Sequence, residues 1–208
     1  MAMLGVAVLA ALAYGATRAL WPAAPVQPVA AIDLHGVALH VPTPFLRPDL
    51  GAGAPERVTL EAFFPDFSPA GSGADIGPKT DLSQRFAKVV TVTIEPAGDD
   101  LAPEQRVAKL YLRFLDDKEL PSPTGLTARS FKDDSPFAGD TLFYAPPEGA
   151  DFAARCPNVK PDAAAPATCA AAFRVDGLDV AVRFPAPLIG AWSAIKSGAL
   201  GLVDAARR

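Results

Sequence analysis

The chain has 208 residues, with 19 Lys and Arg against 23 Asp and Glu, a formal net charge of −4 and an isoelectric point near 5.2. Half of the residues are hydrophobic and 12 are Phe, which argues for a packed core and against a disordered chain. The acidic balance, with Lys and Arg scattered along the sequence and not gathered in a stripe, excludes nucleic acid from the expected partners.

The opening segment, MAMLGVAVLAALAYGAT, carries no charged side chain. Extended to Trp21, it reaches roughly 31 Å as a helix at 1.5 Å per residue. That crosses a hydrocarbon core of about 30 Å and leaves Trp21 at the interface. Residues 1–21 are therefore expected to be a membrane anchor, with the lipid bilayer as partner. The competing readings are a cleaved export signal, with Ala11-Leu12-Ala13 as a small-residue cleavage site, and a buried core helix. Arg18 on the downstream flank favours a cytoplasmic domain by the positive-inside tendency, whereas the two cysteines favour an oxidising exterior. The expected location is the inner membrane, crossed once, with the main domain in the periplasm. Abundant Ala, Pro and Gly beside a single Asn, Asn158, fit a GC-rich bacterial coding sequence.

Residues 22–31 read as a linker in which Pro22, Pro25 and Pro28 keep the chain extended. Residues 32–208 then suffice for one domain with a core of its own. Ile32–Leu34 and Val37–Val41 alternate apolar and polar around His35-Gly36, predicting a strand broken by a bulge or turn. Val58, Leu60, Ala62 and Phe64 recur at period two and predict a second strand, stopped by Pro65. Asp66–Pro78 is loop by its turn residues. Lys88–Glu95 is the clearest strand of this half, with Val90, Val92 and Ile94 facing one way.

Asp99, Asp100 and Pro103 predict the opening of a helix. Its apolar stripe is Val107, Leu110, Tyr111, Phe114 and Leu115, and it is expected to pack on the sheet near residues 103–117. Strand candidates follow at Gly125–Phe131, Thr141–Ala145, Phe152–Cys156, Cys169–Val175 and Leu178–Phe184. Asp176-Gly177 joins the last two as a two-residue hairpin. If Val175 opposes Leu178, then Phe173 faces Val180, Ala171 faces Val182 and Cys169 faces Phe184, with Arg174 and Asp179 as diagonal neighbours on the other side. Leu188, Trp192, Ile195, Ala199 and Leu202 form a seam that predicts a C-terminal helix folded back on the sheet, and Lys196 argues against a second membrane span. The expected class is α+β: an N-terminal transmembrane helix followed by one domain with a mainly antiparallel sheet packed by two helices.

Cys156 closes one strand candidate and Cys169 opens the next. On antiparallel neighbours they would meet at one rim of the sheet, where a disulfide would stabilise the fold by about 3 kcal/mol. A metal site built from Cys156, Cys169, His35 and His40 lacks the short cysteine chelate spacing, and a redox pair would be spaced C-x-x-C. No metal or other cofactor is expected. No serine lies in a nucleophile elbow, and the glycines around Ser72 lack the Lys-Ser/Thr ending of a phosphate loop. The acid pairs Asp99-Asp100, Asp116-Asp117 and Asp133-Asp134 read as solvated surface groups. In FFPDFSP, alternation can bury only some of the rings, so Phe63 and Phe67 are the candidate partner-binding residues, against the plainer reading of a plug beneath the loop.

The leading functional reading is a non-catalytic interaction module held at the membrane, of accessory, assembly or immunity type, with an unidentified protein as partner. Two rivals remain: a cell-envelope enzyme whose site draws on His35 or His40 and scattered acids, and a purely structural envelope protein.

Overall fold

The computed structural model describes residues 27–47, 55–71, 85–123, 125–158 and 167–208. The path begins with β1 (Val29–Leu34) and β2 (Val37–Pro42), then β3 (Val58–Phe63), β4 (Ser68–Pro69) and β5 (Val89–Pro96). It continues through β6 (Leu115–Leu120), β7 (Thr127–Phe131), β8 (Asp140–Tyr144), β9 (Ala153–Pro157), β10 (Thr168–Val175) and β11 (Leu178–Pro185). One α-helix, α1 (Trp192–Arg207), closes the chain. β3 to β11 form a nine-stranded sheet in the order β4-β3-β5-β11-β10-β9-β8-β7-β6, antiparallel at every pairing, and β1–β2 pair separately.

Period-two patterning gives the sheet a core face. Leu60, Val92 and Val182 line up across β3, β5 and β11, as do Val58, Ile94 and Val180, and all six are buried. Leu34, Leu39 and Val41 of the β1–β2 hairpin, with Ile195, Ala199, Val203 and Ala206 of α1, complete this core. A second, smaller core sits on the opposite face at the β6–β9 end. There Leu115, Phe131, Leu142 and Tyr144 are covered by Val107, Tyr111 and Phe114 from the segment before β6. Tyr111 makes edge contacts with Phe131 and Phe137, at 5.6 and 5.1 Å between ring centres.

The β10–β11 hairpin has the expected register from Val175–Leu178 to Cys169–Phe184. Asp176 and Gly177 both have positive φ, 48° and 77°, as a two-residue hairpin turn requires. Arg174 stands directly opposite Asp179, not diagonal to it, in a two-pronged contact: Nε donates to Oδ1 at 2.7 Å and Nη2 to Oδ2 at 2.8 Å. These hydrogen bonds, Arg174's charge, the Gly98 backbone and the more distant Arg106 hold the Asp179 carboxyl below its ordinary range against the opposing effect of burial.

The expected α+β class, a membrane helix followed by a sheet packed by two helices, is corrected to a mostly-sheet fold in which the described residues hold one long α-helix, at the C-terminus. The segment expected as a helix over 103–117 is a run of short turns: 3₁₀ at Pro103–Gln105, π at Val107–Tyr111 and 3₁₀ at Leu112–Phe114. Its stripe is apolar because it packs on the sheet, but Leu115 leaves the helical path to pair with Phe131 as the start of β6. The charged Asp116–Glu119 stretch, which includes the Asp116-Asp117 pair expected on the surface, is an exposed sheet edge, where charge discourages edge-to-edge pairing. The other edge, β4, has only two residues. The anchor expected at 1–21 lies outside the described residues. Among those described, the helix long and apolar enough to cross a membrane is the C-terminal Ala186–Arg207, whose inner stripe belongs to the core.

Phe67 locks α1 onto the turn between β3 and β4. Its ring lies over Gly198, where a Cβ would come within 2.0 Å of the ring carbon Cε2. Gly→Ala inside a helix ordinarily stabilises by about 1 kcal/mol. Gly198→Ala is expected to do the reverse, destabilising by about 1–3 kcal/mol through overpacking, and to become stabilising once Phe67→Ala removes the ring. Urea unfolding of the four proteins in this cycle measures the change of sign. The Asp179 carboxylate, with its folded pKa lowered, contributes stability above the unfolded value that is lost as pH falls through the folded one. Asp179→Asn is therefore expected to flatten the decline of the urea midpoint below about pH 4.

Candidate functional site

α1 and the β1–β2 hairpin cover one face of the sheet, and the 103–114 segment covers one end of the other. What remains open among the described residues is the face of β3, β5 and β11, running to β10 where the Pro103–Gln105 turn reaches over it. Strand alternation sends Thr59, Thr91, Thr93, Ala181, Ala170 and Ala172 to this side, so its floor is low and weakly polar. The Thr59 and Thr93 hydroxyls lie 3.4 Å apart on paired strands.

Most charged groups here are paired. Glu61 meets Arg47 at 3.5 Å, Glu95 meets Arg57 at 3.8 Å, and Asp179 meets Arg174. A cleft of about 170 Å³ opens where the face runs under the 103–114 segment, with Arg106, Arg155 and Arg183 among its lining residues. Arg106 Nε donates to the Leu101 carbonyl at 3.0 Å. Arg155 lies 5.0 Å from the Phe137 ring centre and 3.9 Å from Asp140. Arg183 is exposed and has no ion pair or hydrogen-bond acceptor among the described residues. Sequence inspection missed this trio, although the Asp176-Gly177 hairpin already sets Arg183 opposite Ala170. The missing information was the β9–β10 pairing, which sets Ala170 opposite Arg155.

Phe63 and Phe67 are placed on opposite sides of the sheet. Phe63 shares the side of Thr59 and Glu61, half-buried, with the Arg85 guanidinium 5.1 Å from its ring centre. Phe67 has φ 52° in the turn and packs with Phe64 against the core near α1. Cys156 and Cys169 are joined in a disulfide, with 4.1 Å between Cα atoms. Both are buried on the core face, where the β9–β10 register brings them opposite each other. His35 sits in the β1–β2 turn with φ 51°, and His40 faces solvent on β2, three strand steps beyond Val37. Among the described residues, no group of three or more His, Cys, Asp or Glu is placed to hold a metal ion.

No protein-family model matches this sequence, and no curated protein matches it. Among solved structures, the fold is similar to that of an immunity protein of the Stenotrophomonas maltophilia type IV secretion system. The match has a TM-score of 0.63 and 14% identity, over 86% of this chain and 93% of the other. An iron-regulated outer membrane lipoprotein of Neisseria meningitidis matches over the same shares, at a TM-score of 0.47 and 11% identity. The first likeness is one of fold; the second is too distant to support an argument.

Proposed function

We propose that this protein is a cell-envelope interaction module of accessory, assembly or immunity type that binds a protein partner without catalysing a reaction. The observation that supports it most is the open sheet face, a broad structured surface that nothing in the described chain covers. The fold it shares with a secretion-system immunity protein favours the immunity-type form of this reading. Phe63 is the aromatic anchor of the interface. Phe67, packed over Gly198, holds the turn that follows β3 and so steadies the strand that presents Phe63.

In the same proposal the domain stands in the periplasm and residues 1–21 attach it to the inner membrane. The Cys156–Cys169 pair supports an oxidising compartment, since such bonds persist where thiols are not kept reduced.

Cross-linking in cells followed by detergent solubilisation is expected to recover a defined protein partner. Phe63→Ala should weaken recovery about tenfold or more, whereas His35→Ala and His40→Ala leave the phenotype unchanged. Loss of phenotype in a folded histidine variant would instead support an enzyme. Alkaline phosphatase fused after Arg208 should be active, and the cysteines should resist alkylation in intact cells unless reductant is added first. In purified protein, Cys156→Ser with Cys169→Ser is expected to cost about 3 kcal/mol of stability in urea, the value for a closed loop of this length.

A further inference from the structure

Arg183 and Arg155 belong to one cross-strand row. Ala170 on β10 pairs with Arg183 on β11 and with Arg155 on β9, so the two arginines flank an alanine methyl on three successive strands. Two inter-strand spacings separate their Cα atoms by about 10 Å. Ala172 and Ala181, paired with each other, continue the small-residue floor, and Arg106 overhangs from the 103–114 segment. Three guanidiniums thus line a shallow cleft; among the described carboxylates, Asp140 lies 3.9 Å from Arg155, while Glu61, two strands from Arg183 in the same row, is held by Arg47, and Asp179, within reach of Arg106's charge, is held by Arg174. The chain as a whole is acidic, which makes this local excess of positive charge stand out.

We infer that this cleft is a receptor for a carboxylate side chain of an acidic segment on the protein partner. The inference rests on the interaction reading above and specifies the chemistry of its partner. A guanidinium presents planar pairs of N–H donors that match a carboxylate, and two of them on facing sides of an alanine can grip one side chain from both edges. The alanine floor leaves room for the methylene stem of a Glu or Asp and offers no competing acceptor. Among the described residues Arg183 has no partner to give up, so an incoming carboxylate adds a contact there without breaking one of theirs. A phosphate polymer fits the cleft less well. Its binding needs an extended basic track, and the surrounding chain carries net negative charge.

The test uses the full chain in uncharged detergent micelles at physiological salt, with side-chain arginine resonances followed by NMR. The probe is acetylated, amidated hexaglutamate; a 20-mer of oligothymidylate and a short-chain phosphatidylglycerol are the phosphate-bearing comparisons. Hexaglutamate is expected to shift the Nε–Hε signals of Arg183, Arg155 and Arg106 saturably. Arg183→Gln should weaken that binding about tenfold, Arg183→Lys should weaken it less, and Arg208→Gln should change it less than twofold. Shifts that fail to saturate, or that move Arg57 and Arg208 equally, overturn the proposal. So does either phosphate-bearing probe filling the cleft at a tenfold lower concentration than hexaglutamate. If Arg183→Gln leaves partner recovery in cells unchanged, the cleft is overturned while the interaction reading stands.

Discussion

Among the described residues one long helix faces nine strands and cannot cover them, and the architecture of this protein follows from that mismatch. Eight inter-strand spacings make the sheet about 38 Å wide, whereas a 16-residue helix is about 24 Å long and 10 Å across. α1 therefore shields part of one face, and the β1–β2 hairpin adds Leu34, Leu39 and Val41 to finish the job. On the reverse side the 103–114 segment buries the β6–β9 end and reaches over β10 at Pro103–Gln105. Nothing among the described residues covers the remainder of that side, and its residues have to be compatible with exposure. Threonines, alanines and paired charges meet that requirement, and they also leave the surface flat enough to receive another protein.

Much of the core face was legible because its strands announce themselves locally. Val90, Val92 and Ile94 alternate cleanly, and Asp176-Gly177 fixes a register that runs unbroken to Cys169 and Phe184. The C-terminal helix was legible in type and in phase. Of the expected seam, Ile195 and Ala199 are buried and Leu188, Trp192 and Leu202 pack half-buried against the same core, with Leu188 in the 3₁₀ entry to the helix. Val203 and Ala206 extend the seam, and the Phe67 ring beside Gly198 was not foreseeable from it. The segment 103–114 did mislead. Apolar residues three and four apart from Val107 to Leu115 suit an α-helix, but a wide π turn followed by a tight 3₁₀ turn gives nearly the same average spacing over so short a run, and the aromatic neighbours across the sheet distinguish them.

The candidate site was less visible still, and both failures concern which way a side chain points. Phe63 and Phe67 are four residues apart, so strand parity would put them on one side. The turn from Phe64 to Phe67, with Phe67 in the left-handed region, breaks that parity and swings its ring towards α1. The arginines show the converse. Arg106, Arg155 and Arg183 are scattered along the sequence and form no pattern within it, yet two strand pairings bring two of them into a single row. Local charge density is a property of register, which depends on long-range pairing that composition does not record.

The open face also limits how a partner can be held. The large hydrophobic residues clearly exposed among those described, Val29 and Phe86, lie off the cleft, so association cannot be driven by covering a preformed greasy patch. In the proposed reading, recognition falls to a few aromatic and guanidinium groups set on the sheet, where strand geometry fixes their spacing before contact. The Cys156–Cys169 bond serves the same end: by tying β9 to β10 beneath the floor, it holds Arg155 and Arg183 in register across Ala170.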